Sequence, residues 1–466
     1  MLKVNRYFLI YIFLLLWLAF FLSLPASAQI NPWIQNNLYN PRKWDTAGQF
    51  TDTSWLHPPK YSPDQEWGIF SGKWRTTTSI TGSWGGFRDK LEQKGIEVMI
   101  AYFGHLATNP LGGEKKGVSW KGDISGSIFM DMERLTGWKG GYLLFSVSYV
   151  NPGRSLSPDY IGNFFPVQLD TLDEHGGFRI VHLALGQQLF NNTTEIVLGR
   201  IITGEDFANL RLACTSLNQR VCANPIVGRQ SLTFPTYPVA TWGARLKYKP
   251  HRDWYVQAGS YLVYAGLGNP NTGGLEFKVP NGSGVLNMGE VGYITGNYRD
   301  IPGLPGVIKV GGYYDSERLE DLDSGRNVNG TWGMYILGEQ MLYSENSQYT
   351  EGLSGFLALS YGPEDRNIIT FMAAGGLSYQ GLIPSRSDDT LAFVFAYGLF
   401  SDDLNEFNRE NGDPIQNAET LLELNYRIQV APWLFVQPDV QVIINPDGRS
   451  DIDDALVIGF GIGTVL

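Results

Sequence analysis

Residues 418–466, AETLLELNYRIQVAPWLFVQPDVQVIINPDGRSDIDDALVIGFGIGTVL, decide the fold. Thr420, Leu422, Leu424, Tyr426, Ile428 and Val430 alternate with Glu419, Glu423, Asn425, Arg427 and Gln429. Ala431-Pro432-Trp433 makes a tight connection, after which Leu434, Val436, Val440, Val442 and Ile444 alternate with Gln437, Asp439 and Gln441. A polar loop over 445–454 leads to Leu456, Ile458, Phe460, Ile462 and Leu466, with Gly459, Gly461 and Gly463 on the opposite face. A period of two puts successive side chains on opposite faces of a strand. Strands of about ten residues, apolar on one face and polar or glycine on the other, are the pattern of a transmembrane β-barrel. A strand at the end of the chain suits a barrel whose last strand pairs with its first.

The other end of the chain reads as an export signal. Lys3 and Arg6 precede the apolar run Tyr7–Leu22, and Ala26-Ser27-Ala28 is a small-residue cleavage site. The run is short for a membrane span, so residues 1–28 are expected to be removed. Losing Lys3 and Arg6 takes the formal charge from −11 to −13. A net charge of that sign argues against nucleic-acid partners. The 55 glycines, with the many Trp, Tyr and Phe, suit crowded barrel positions and interfacial girdles, or a secreted β-sandwich equally well. The two cysteines, Cys214 and Cys222, have too few neighbouring ligands for a metal site, so in an oxidising compartment they are expected to form a local disulfide.

Residues 29–80 are rich in Trp, Pro, Asn and Asp without periodicity, and read as an irregular N-terminal segment before a barrel domain over 81–466. Within 84–95, Phe87, Leu91 and Lys94 have helical spacing and Gly95 is a helix stop, which predicts a short helix at the barrel floor. Strand patterns then follow over 95–108, 121–134, 140–150, 177–190, 193–202, 240–249, 254–264, 287–299, 306–317, 331–345, 351–362, 367–380, 390–401, 418–430, 433–444 and 454–465. Sixteen strands are an even number, as a single-chain bacterial barrel needs. Connections after even strands are short. Those after odd strands are mostly longer, 203–239 the longest, although the one after strand 11 is short. The predicted fold is therefore all-β, a 16-stranded antiparallel barrel with short periplasmic turns and long outer loops.

Several stretches resemble the carbohydrate-selective porins of the OprB type: 81–88 (TGSWGGFR) with Leu91, Gly95 and Ile96; Leu198-Gly199-Arg200 with Gly204-Glu205-Asp206-Phe207 and the cysteine pair; Tyr237-Pro238 with 240–245; Gly381–Arg386 with Asp388-Asp389; and Pro432–Leu434 through Gln437-Pro438-Asp439, Gln441 and Ile444-Asn445-Pro446. The resemblance covers most of the chain after residue 81. It implies an outer-membrane barrel passing monosaccharides and related small solutes. The chain departs from the pattern in ending on Leu466 rather than an aromatic, and in carrying His182 and Gly186 where larger or acidic inward residues are expected.

A sugar pore needs no catalyst and no cofactor. It needs hydrogen-bonding and charged side chains at a constriction, with binding weak enough for release. Alternation nominates Ser125, Ser127, Asp131 and Glu133 on strand 2, Arg245 and Lys247 on strand 6, Glu423, Asn425 and Arg427 on strand 14, and Gln437, Asp439 and Gln441 on strand 15; Arg179 and Arg200 are added to these. The simpler reading of each is a wall charge that keeps the lumen wet. Asp131 and Glu133 could be read as a glycosidase pair, but a structural ladder gives the same spacing. No G-x-S-x-G elbow and no phosphate-binding loop is present. The 203–239 loop, stapled by its cysteines, is the candidate constriction; lying flat over its neighbours is its alternative. Expected partners are small sugars as transported solutes and outer-membrane lipid, and porins of this size are commonly homotrimers, though no residue demands it. Two other functions stay open: a general or inorganic-ion pore on the same barrel, and a secreted soluble β-rich carbohydrate-binding protein.

Overall fold

In a computed structural model, the structure describes residues 79–169, 176–222, 224–251, 253–296, 303–322, 325–346 and 350–466; the expected signal and nearly all of the irregular N-terminal segment lie outside them. All the expected strands form: β1 (Ile96–Leu111), β2 (Val118–Asp131), β3 (Gly141–Val150), β4 (Gly177–Leu189), β5 (Thr194–Ile201), β6 (Thr241–His251), β7 (Trp254–Val263), β8 (Gly284–Thr295), β9 (Gly306–Glu320), β10 (Asn327–Ser344), β11 (Gly352–Tyr361), β12 (Ile369–Gln380), β13 (Thr390–Phe400), β14 (Ala418–Ala431), β15 (Leu434–Ile444) and β16 (Ala455–Val465). Each pairs antiparallel with its sequence neighbours, and β1 pairs with β16 to close the barrel. Closure pairs the first strand with the last, so neither leaves the unpaired sheet edge that a bilayer would penalise.

The alternation lands as the sequence dictates. Leu424, Val440, Ile458 and Phe460 are exposed on the outer face, while Glu423, Asn425, Gln437, Asp439 and Gln441 are buried on the inner one. The glycines of β16 make room for inward neighbours. A Cβ on Gly459 would lie 2.1 Å from Asp439 Oδ1 and 2.4 Å from His105 Nε2, and one on Gly463 would lie 2.1 Å from the Phe435 ring. Gly186 is explained in the same way, since a Cβ there would sit 1.8 Å from the Tyr142 ring.

Strand ends differ from expectation where local chemistry overrides the period. β2 stops at Asp131, because Met132–Thr136 is helical and the Asp131 carboxylate caps the amides of Glu133 and Arg134. β1, β9 and β10 run further outward, so the connections 112–117 and 321–326 are shorter than expected. The expected helix forms as Phe87–Gln93, and Gly95 (φ 91°) follows it. Its buried Arg88 donates to Val98 O (2.7 Å), Ser79 Oγ (3.2 Å) and Leu466 O (3.5 Å), so the helix clasps the β1–β16 seam at the periplasmic end.

The outer half of the barrel is not an open polar tube. Inward Leu421, Ile443, Val457, Val394, Met372, Leu337 and Phe356 form one buried apolar cluster with Leu156, Ile161, Phe165 and Val167 from the β3–β4 loop and Phe207, Leu210, Ala213, Ile226 and Val227 from the β5–β6 loop. Two outer loops have folded inward and built a hydrophobic core inside the barrel.

Candidate functional site

The β5–β6 loop (202–240) is fastened to the wall strand by strand. Arg245 on β6 binds Glu195 (2.6 Å) and Asp206 of the loop (2.9 Å), and Tyr142 donates to the same Glu195 (3.0 Å). The chain then crosses the lumen. Ala208 N donates to Glu290 on β8 (2.9 Å), Lys309 Nζ on β9 to Asn209 O (2.8 Å), and Leu212 N to Glu339 on β10 (2.9 Å). At the far wall Ser216 Oγ and Leu217 N donate to Glu423 on β14 (2.5 and 2.9 Å), while Asn425 and Gln437 both donate to Thr215 O (2.9 Å each). The Cys214–Cys222 disulfide forms at this turning point. On the way back Val227 N donates to Ser360 on β11 (2.9 Å). The loop therefore folds into the lumen rather than lying flat.

The β3–β4 loop, described over 151–169, folds in beside it. Phe164 N and Phe165 N both donate to Glu419 on β14 (2.7 Å each), and Gln441 Nε2 on β15 donates to Val167 O (2.8 Å). The two loops meet: Asn218 Nδ2 donates to Phe165 O (3.0 Å) and Gln219 N to Pro166 O (2.9 Å). The Arg220 guanidinium lies 5.3 Å from the centre of the Phe164 ring and donates to Arg229 O (2.9 Å). The recurring device is a wall carboxylate that accepts loop backbone N–H groups, a charge-assisted bond stronger than a neutral one. What remains of the lumen is narrowed at a junction that carries Arg220.

The chain matches the family model described as carbohydrate-selective porin, OprB family, over residues 115–466. It belongs to the OprB family of carbohydrate-selective porins. Porin B of Pseudomonas aeruginosa is 28% identical over 440 residues, 87% of this chain and 92% of that protein. The high-pH structure of Pseudomonas putida OprB superposes with a TM-score of 0.77 at 25% identity, covering 84% of this chain and 99% of that one. The low-pH structure of the same protein superposes with a TM-score of 0.54 at 19% identity over the same shares. This OprB-family chain is thus an outer-membrane sugar porin of a Gram-negative bacterium, and neither the soluble binding protein nor the general ion pore is favoured.

The sequence-nominated residues have separate fates. Lys247 and Arg427 face the lumen half-exposed; the Lys247 ammonium lies 4.0 Å from the centre of the Tyr255 ring and the Arg427 guanidinium 3.6 Å from that of Phe435. Ser125 and Ser127 also remain half-exposed inside. Arg245, Glu423 and Gln437 are buried and hold the loop, while Asp439 pairs with His105 (3.0 Å) and accepts from Gln441 (2.9 Å). Arg179 is buried near the outer mouth, donating to Gly268 O (2.9 Å).

Two corrections follow. Asp131 and Glu133 do not share a strand face: Asp131 caps the periplasmic turn and Glu133 lies exposed in its helix, because the chain leaves the sheet between them. Arg200 does not face the lumen. The period of two along β5 runs unbroken through it: Val197 and Ile201 are inward in the buried cluster, Leu198 is exposed outward, and Arg200 pairs in register with outward Leu183 and Trp242. Glu290, Glu339, Lys309, Arg220 and the whole β3–β4 loop escaped the sequence reading. The readable signal for Glu290 was a lone acid among Leu286, Met288 and Gly292 on an inward face.

Proposed function

We propose that this porin passes monosaccharides and similar small solutes by passive, saturable diffusion, and that the filter is the slot between its two inward loops. The observation that carries this is the junction of the loops at Phe165, Pro166, Asn218 and Gln219, each loop held by a carboxylate of β14. Arg220, Lys247, Lys309 and Arg427 supply the donors for sugar hydroxyls, with half-exposed Ser125 and Ser127 on the β2 wall. Their charges are paired with carbonyls and ring faces, which leaves hydrogen-bonding capacity for a passing solute. Such binding is weak and multi-point, as conduction requires. The transport role leaves no step for a catalyst. A homotrimer remains the proposed assembly from size class alone, and mass in detergent measures it.

The test is single-channel conductance in a planar bilayer with glucose added. Concentration-dependent, saturating block by glucose, weakened by Arg220→Ala, supports a sugar site at the slot. Conductance indifferent to glucose removes the saturable site and keeps only the barrel.

A further inference from the structure

β4 and β5 separate near their outer ends. Their pairing reaches outward only to Leu183 opposite Arg200, so residues 178–182 of β4 have no β5 partner there. The β7–β8 connection, residues 264–283, fills the gap. Ile180 N donates to Gly273 O (2.8 Å), and Trp242 Nε1, on the outward face of β6, donates to Glu276 O (3.0 Å). The connection therefore runs back from β7 over β6 and β5 to the open edge of β4. Beneath it lies outward Arg200, 3% exposed, with Nε donating to Ile180 O (3.1 Å). The fit is close: a Cβ on Gly274 would lie 2.5 Å from Ile180 O and 3.1 Å from Arg200 Nη2. An arginine facing lipid is costly, and this cover removes it from the bilayer.

The far side of the same segment is apolar and bare: Leu275, Phe277 and Val279 are 55, 66 and 68% exposed. They adjoin the outward belt of the barrel. The Phe277 and Trp242 rings are 5.6 Å apart, and Phe178, Leu198 and Leu246 are exposed on the lipid-facing sides of β4, β5 and β6. We propose that residues 275–279 are seated in the outer leaflet, with Leu275, Phe277 and Val279 against lipid acyl chains. Continuity with the belt assigns this occupant, since at this point the loop is the barrel's outer wall. Exposed Lys278 is placed to reach up to the headgroup phosphates.

Both native cysteines are in a disulfide, so a single introduced thiol can be labelled cleanly. Phe277→Cys carrying an environment-sensitive fluorophore is reconstituted in phospholipid vesicles, with Leu246→Cys in the belt and Lys116→Cys in the aqueous β1–β2 turn as references. Folding is verified by heat-modifiable gel mobility; Val279→Cys serves if Phe277→Cys does not fold. The segment's place in the leaflet predicts acyl-chain nitroxide quenching at 277 within about two-fold of that at 246, and little quenching by iodide. Quenching like that at 116 overturns the proposal. Shielding from both quenchers, with a multiple of the monomer mass in detergent, overturns it in favour of an interface between copies.

Discussion

Glu423 shows how one inward residue can matter to a pore without touching the solute. Its carboxylate accepts from Ser216 and Leu217, so Glu423→Ala strands two buried donors. Each costs about 1–3 kcal/mol when unmade, which is enough to release the loop tip. Higher and noisier single-channel conductance is the expected outcome, with Glu423→Gln much milder because an acceptor remains. Gly186→Ala acts by space: the new methyl must displace the Tyr142 ring and with it the Tyr142–Glu195 bond. Overpacking of this kind costs about 1–3 kcal/mol, to be read as a lower denaturant midpoint in detergent. The sequence placed Glu423, Gln437 and Asp439 on the inner face correctly, since a period of two is local. It could not name their partners, because Glu423 meets Leu217 across 206 positions of chain. Arg200 was added for its charge alone, whereas a period of two from outward Leu198 places it on the outer face.

At the scale of elements, the strands were legible and the loops were not. Strand identity is carried by alternation along ten or so residues, whereas loop direction depends on which wall groups await it. The 203–239 loop was marked as a constriction by its cysteines and length; the β3–β4 loop carried no comparable mark, and its inward fold rests on Glu419 and Gln441. The disulfide closes a separation of 8 residues at the loop's turning point. A closed loop of that size constrains the open state by about 2–3 kcal/mol. Replacing both cysteines by serine should leave the heat-modifiable barrel intact and weaken glucose block, measured by conductance. The β15–β16 connection, 445–454, offers a pH prediction. Burial pushes the Asp447 carboxyl up to about 6 from an ordinary value of 3.8. A raised carboxyl stabilises the loop fully below its unfolded value and loses that contribution as pH rises through the folded one. Hydrogen exchange over 445–454, corrected for intrinsic rate, should quicken between about pH 4 and 6, and Asp447→Asn should flatten the change.

At the scale of the whole molecule, a net charge of −11 gives no account of the passage, because many inward carboxylates are buried behind the loops they hold. Glu290, Glu339, Glu419 and Glu423 bind loop amides, while Arg220, Lys247, Lys309 and Arg427 stay half-exposed. The surface met by a solute is thus more basic than the composition. The barrel itself could have been drawn from residues 418–466 and the spacing of earlier strands; the filter could not, since it is built by tertiary bonds between distant segments. The most direct measurement is liposome swelling with glucose and sucrose, comparing the native porin with a Glu419→Ala/Glu423→Ala variant that frees one anchor of each loop. If the slot between the loops is the filter, the native porin admits glucose well ahead of sucrose and the variant admits both, with the sucrose-to-glucose ratio rising several-fold. An unchanged ratio in a correctly folded variant would contradict it and move the filter to the barrel wall.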